Sequence, residues 1–176
     1  MTSKIPIFLS LPTHLDDGQK KTRDELINFL EDEKLEARTL GQSDYPSSLP
    51  LQEVAIIASH CAGGIILGFS QIVAKSVIVR PAKTLNRSKD PLKVVDRKFP
   101  SDWNNLEAGI LFALGKPLMV LREEGIEGGI FDIGVTEVFL HDLPVGGWKG
   151  EHKNIQSALK NWAGLVRENY RNWRTS

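Results

Sequence analysis

The chain is predicted to fold as an α/β domain with a doubly wound parallel sheet of about five strands and helices on both faces. Three observations predict it. Short apolar runs bounded by turn residues alternate with longer segments of helical periodicity, the order that builds βαβ units. The runs carry apolar residues at successive positions, as buried strands do. The length of 176 residues, with 41% hydrophobic and 25% charged residues, suits one domain with a sizeable core.

The elements follow in order. Ile5 to Leu9 reads as a buried strand that ends in the loop Ser10 to His14. From Asp16 to Lys34, Leu26, Ile27, Phe29 and Leu30 recur at helical spacing among charges, which predicts an amphipathic helix. Leu35 to Leu40 is a second strand, and Gly41 to Ser48 is rich in turn residues. Pro50 sits well in the first turn of a helix that runs to about Cys61. Gly63 to Gly68 is a strand bounded by glycines, Trp103 to Leu114 a helix, and Pro117 to Leu121 a further strand. A short strand at Val138 to Leu140 and a helix from Glu151 to about Trp173 complete the pattern. On that last helix Ile155, Leu159, Trp162 and Val166 share a face, and Trp162, Tyr170 and Trp173 suit either a dimer surface or core, with core the default.

Composition excludes several classes of function. Lys plus Arg and Asp plus Glu both number 22, so no overall charge recruits nucleic acid or anionic lipid. The single Cys61 excludes an intrachain disulfide and a cysteine-rich zinc site, and is expected to be a buried thiol in a reducing cytoplasm. No run approaches the ~18 apolar residues of a membrane span. A cytoplasmic chain with no membrane association, no metal and no cofactor is therefore expected.

In doubly wound sheets ligands bind beyond the carboxyl ends of the strands, where strand order reverses. Three segments are expected to converge there: Ser10 to His14, Gly68 with Phe69 to Gln71, and the start of the helix that carries Glu107. Trp103, Leu106, Ile110, Leu111 and Leu114 define one face of that helix, and Glu107 projects within it. A carboxylate in an apolar stripe must be paired, stand at a pocket floor or titrate upward. Its place early in the helix favours the charged form, which suits a nucleophile or cation stabiliser. The alternative is a structural ion pair with a lysine.

The residues from Glu107 to Leu121, Glu-Ala-Gly-Ile-Leu-Phe-Ala-Leu-Gly-Lys-Pro-Leu-Met-Val-Leu, resemble the Glu-x-Gly-x-x-x-Ala-x-Gly-Lys-Pro stretch of nucleoside 2-deoxyribosyltransferases. Ser101, Trp103 and Glu107 are also similar in spacing to the Ser-x-Trp-x-x-x-Glu of TIR (Toll/interleukin-1 receptor) domains. Both resemblances imply a flavodoxin-like fold, and both imply that Glu107 acts at an N-glycosidic bond. The first implies a deoxyribosyltransferase and the second an NAD hydrolase or cyclase, with NAD as substrate. The transferase pattern has further acids where this chain has Cys61-Ala62-Gly63 and Ser101. Self-association into a homo-oligomer is a further implication of both.

Around Glu107, Asp102, Asn104 and Asn105, with Trp103 beside them, are candidates for ribose hydroxyls, and Ser10 and His14 for the base side. The asparagines serve equally well as helix caps, and Ser10 to His14 as an ordinary loop. A last feature is the stretch 71–100, expected to form an insertion or flap, with Ser76 to Val79 as one strand of it. It holds eight basic residues against two acidic ones, which points to phosphate recognition by Arg80, Lys83 and Arg87. The same charges also suit pairing with acidic helices of a second subunit. With Phe99 the one aromatic there, nucleic acid is not the expected partner. The sequence thus predicts cleavage or transfer at the N-glycosidic bond of a nucleoside or nucleotide. The alternative is a non-catalytic nucleotide-sensing or assembly module of the same fold.

Overall fold

The computed structural model describes residues 4–40, 49–79, 93–134, 139–148 and 152–175. Five strands form one parallel sheet: β1 (Ile5–Ser10), β2 (Leu35–Arg38), β3 (Gly64–Gly68), β6 (Leu118–Arg122) and β7 (Phe139–Asp142), in the order β2-β1-β3-β6-β7. Counting the sheet strands alone, this is the 2-1-3-4-5 order of flavodoxin-like folds, and it reverses direction between β1 and β3. The intervening β4 (Ile72–Val79) and β5 (Lys93–Phe99) form a separate antiparallel ribbon within the stretch 71–100. The segment between them, with Arg80, Lys83 and Arg87, lies outside the described residues.

Alternation along the strands divides the core in two. Ile7, Leu9, Ile65, Leu67, Met119 and Leu121 face α1 (Asp17–Asp32) and α4 (Lys153–Thr175), and Phe8, Ile66, Leu118 and Val120 face α2 (Pro50–Ser59) and α3 (Asp102–Ala113). Both sides of each central strand are buried, so these strands appear in the sequence as unbroken apolar runs. Helix α1 starts in a capping box, in which Asp16 accepts from the Gln19 backbone and the Gln19 side chain accepts from Asp16. On α4, Trp162 is fully buried and donates to the Pro117 carbonyl at 3.1 Å. Trp173 is 45% exposed, contrary to the core position expected of it, because it lies in the last turn of α4, where the Lys116 ammonium stands over its ring at 5.3 Å from the centroid.

Two glycines on β3 set how closely the second face can pack. A Cβ on Gly64 would lie 2.5 Å from Leu111 of α3, and one on Gly68 would lie 2.4 Å from Phe131 in the short 3-10 turn Gly129–Phe131. The ribbon is kinked by a register shift between Ala74 and Val77, where Ser76 adopts φ +56° and its N–H is capped by Asp96 at 3.0 Å. Among the described residues no helix is long and apolar enough to cross a membrane.

Candidate functional site

The first turn of α3 begins at Ser101, whose hydroxyl accepts from the Trp103 N–H at 3.3 Å. The helix then turns Asn104, Glu107, Ala108 and Leu111 toward the sheet. This corrects the stripe expected from the sequence. Trp103, Leu106 and Leu114 are exposed, as is Phe112, and Glu107 belongs to a buried face that it shares with Asn104, Ala108 and Leu111. Apolar residues are scattered around most of α3, so periodicity offers two faces. The small Ala108, with Gly64 opposite Leu111, selects the one that approaches the strands closely.

Glu107 is 8% exposed and Asn104 and Ser10 are each 1% exposed. Ser10 ends β1, at the point where the sheet order reverses, so the trio stands at the crevice where such folds bind ligands. Asn104 Nδ2 donates to Ser10 Oγ at 2.7 Å. That occupies one lone pair of the hydroxyl and leaves its proton for Glu107, with which Ser10 also hydrogen-bonds. Burial pushes the Glu107 carboxyl up to about 7, and the Ser10 hydrogen bond offsets only part of that rise. The charged form that its place early in the helix suggested is thus opposed by its removal from water. The Asn104 Oδ1 atom is buried and has no hydrogen-bond partner among the described residues. An open buried acceptor costs about 1–3 kcal/mol.

The other predicted residues are distributed differently. Asn105 points away from this trio and its Oδ1 accepts from the Ile130 N–H at 3.1 Å, so it fastens the 3-10 turn to α3. Asp102 and His14 are exposed, and the His14 carbonyl accepts from Gln71 Nε2 at 3.2 Å. Phe69 is fully buried in the α1 and α4 core, and Gly68 is covered by Phe131. Of the basic ribbon residues, Lys98 pairs with Glu123 and Arg97 with Glu127 of this same chain.

One residue at this edge was missed in the sequence. Glu123, directly after β6, accepts from Gln19 Nε2 at 3.0 Å, Ser70 N–H at 3.0 Å, Ser70 Oγ at 3.2 Å and Lys98 Nζ at 2.8 Å. Burial alone would raise its pKa, but the donors, Lys98 first, outweigh burial and hold it below the usual carboxylate range. Its signal in the sequence was an acid one step beyond the carboxyl end of an apolar strand.

A cavity of about 290 Å³ lies between the ribbon and the turn after β6, against Val77, Arg97, Phe99, Glu127 and Asp132. Another of about 460 Å³, at Phe112, Lys116, Leu165 and Glu168, lies at the far end of the sheet. Neither is lined by Glu107. Among the described residues no group of three His, Cys, Asp or Glu side chains is placed to hold a metal ion.

No protein-family model matches the chain, and no curated protein sequence matches it. Among solved structures it is similar to the CMP N-glycosidase BcmB of Clostridium botulinum, with 16% identity, a TM-score of 0.50, and coverage of 86% of this chain and 98% of that one. At this identity the likeness is one of fold.

Proposed function

We propose that this chain cleaves, or transfers to an acceptor, the N-glycosidic bond of a nucleotide or nucleoside, with Glu107 acting at the anomeric carbon. The observation that carries this reading is a buried carboxyl at the switch point of a flavodoxin-like sheet, held by the Ser10 hydroxyl and poised to titrate near neutrality. The fold likeness to an enzyme described as a CMP N-glycosidase supports the same bond class. It also favours a nucleotide over a free nucleoside.

Breaking the C1′–N bond leaves the electron pair on the base and an oxocarbenium-like sugar. Ionised Glu107, stripped of water, stabilises that cation more strongly than a hydrated carboxylate, or bonds to C1′ through one oxygen. Water then attacks C1′, the C1′–O pair returns to Glu107, and the proton of the water is released. A departing nucleobase requires a proton, whereas the nicotinamide of NAD leaves neutral, so both remain candidate leaving groups. In this reading Asn104 keeps the Ser10 proton directed at Glu107, so that the reacting oxygen has one orientation.

The reading is tested by incubating the purified protein with CMP, with NAD, and with a deoxynucleoside plus a free base, and separating the products by chromatography beside Glu107→Gln. Base release or exchange by the wild type, lowered on the order of 10²- to 10³-fold or more in Glu107→Gln, is expected. A second reading, a nucleotide-sensing module without turnover, is favoured by Asn105, which holds Ile130 and not a site beside Glu107. Binding of a nucleotide with no product from any mixture would select it.

A further inference from the structure

We infer that Glu123 is the positioning residue of this site: its carboxylate joins the three segments that converge at the carboxyl edge of the sheet and thereby sets where Glu107 stands. The four donors on Glu123 come from three different segments. Gln19 belongs to the capping box that starts α1, the helix entered from the loop after Ser10. Ser70 follows Gly68 and Phe69 at the end of β3, and gives both its N–H and its hydroxyl. Lys98 lies on β5, three residues before the Ser101 cap of α3, and its ammonium also donates to the Glu124 carbonyl at 3.1 Å.

The backbone completes the arrangement. Glu123 N–H donates to the Gly68 carbonyl at 2.8 Å, Gln71 N–H donates to the Phe99 carbonyl at 2.8 Å, and Gln19 Nε2 donates to the Ser70 carbonyl at 3.3 Å. The Glu123 side chain is 12% exposed, so the carboxylate is largely shielded from water, where a charge-assisted hydrogen bond is stronger, while Lys98 reaches it from a side chain that is 38% exposed. Lys98 is the cation that faces it, while Gln19 and Ser70 are neutral, so the pairing of Glu123 with Lys98 is the charged contact of the junction. Removing the negative charge without changing shape frees Lys98 and loosens the lead-in to Ser101, on which the placement of Asn104 and Glu107 depends. The effect on turnover rests on the N-glycosidic reading of Glu107; the hold on the three segments does not.

The test compares Glu123→Gln and Glu123→Asp with the wild type by amide hydrogen exchange and, in parallel, by steady-state kinetics on whichever substrate the wild type turns over. Glu123→Gln is expected to speed exchange at least tenfold in 72–78, 94–99 and the first turn of α3, while α4 and β2 keep their wild-type rates. It is expected to lower kcat by tenfold or more with KM changed less than threefold, and Glu123→Asp, which keeps the charge, is expected to recover part of both. Exchange that is unchanged in those segments, or raised evenly over the whole chain, overturns the assignment. So does an unchanged kcat in an active protein. A wild type with no turnover defeats the N-glycosidic reading alone, and the exchange pattern still decides the role of Glu123.

Discussion

A carboxyl that titrates near 7 in the folded chain and near 4.5 when exposed ties stability to pH with a definite sign. The folded state holds the proton more tightly, so its contribution is full below pH 4.5 and is lost as pH rises through about 7. The difference corresponds to roughly 3 kcal/mol. Glu107→Gln, which is neutral at every pH, is therefore expected to be more stable than the wild type at pH 8 by about 1–3 kcal/mol, with the gap closing toward pH 4; denaturant unfolding at both pH values checks this. Ser10→Ala removes the contact that favours the ionised form and is expected to move the Glu107 titration further upward, seen as a carboxyl shift in NMR spectra. Glu107 was legible in the sequence because a charge inside a helix that packs on a sheet conflicts with its surroundings. Glu123 was not, because an acid after an apolar strand, followed by a second acid, reads as an ordinary solvated turn until its four donors are placed around it.

Helix α3 shows how far an element can be read from its pattern. Its existence and span were legible from Trp103 to Leu114, yet its orientation was not, since Trp103, Leu106 and Leu114 mark a different face from Ala108 and Leu111. Orientation is set by the strand it meets, and Gly64 is the residue that lets it approach. Gly64→Ala is expected to force Leu111 aside and cost about 1–3 kcal/mol in denaturant unfolding. Gly109, on the exposed side of the same helix, has no neighbouring atom where a Cβ would stand, and Gly109→Ala is expected to stabilise by about 0.5–1 kcal/mol. Of the ribbon, only a strand at Ser76 to Val79 within β4 was legible, and β5 was not, because it carries Asp96, Arg97 and Lys98 among its apolar residues. Two of those charges find partners, Glu123 and Glu127, that are distant in sequence.

At the scale of the whole molecule the sheet was readable because strands covered on both faces have no polar alternation to obscure them, and Ile65 to Leu67 and Leu118 to Leu121 are such strands. Trp162→Ala, at a fully buried indole with a hydrogen bond to Pro117, is expected to cost about 3–5 kcal/mol in denaturant unfolding. The reversal of strand order between β1 and β3 brings Ser10 to Glu107, and that meeting of two residues 97 positions apart is what no local pattern contains.

The most direct test of the account is the pH dependence of base release between pH 5 and 9, measured as kcat/KM for wild type and Glu107→Gln on CMP and on NAD. If ionised Glu107 acts at the anomeric carbon, the wild-type rate on one of these rises about tenfold per pH unit below an apparent pKa near 7, levels off above it, and is absent in the variant. Release by Glu107→Gln at a rate close to that of the wild type, a profile flat through pH 7, or no release by the wild type at any pH would contradict it.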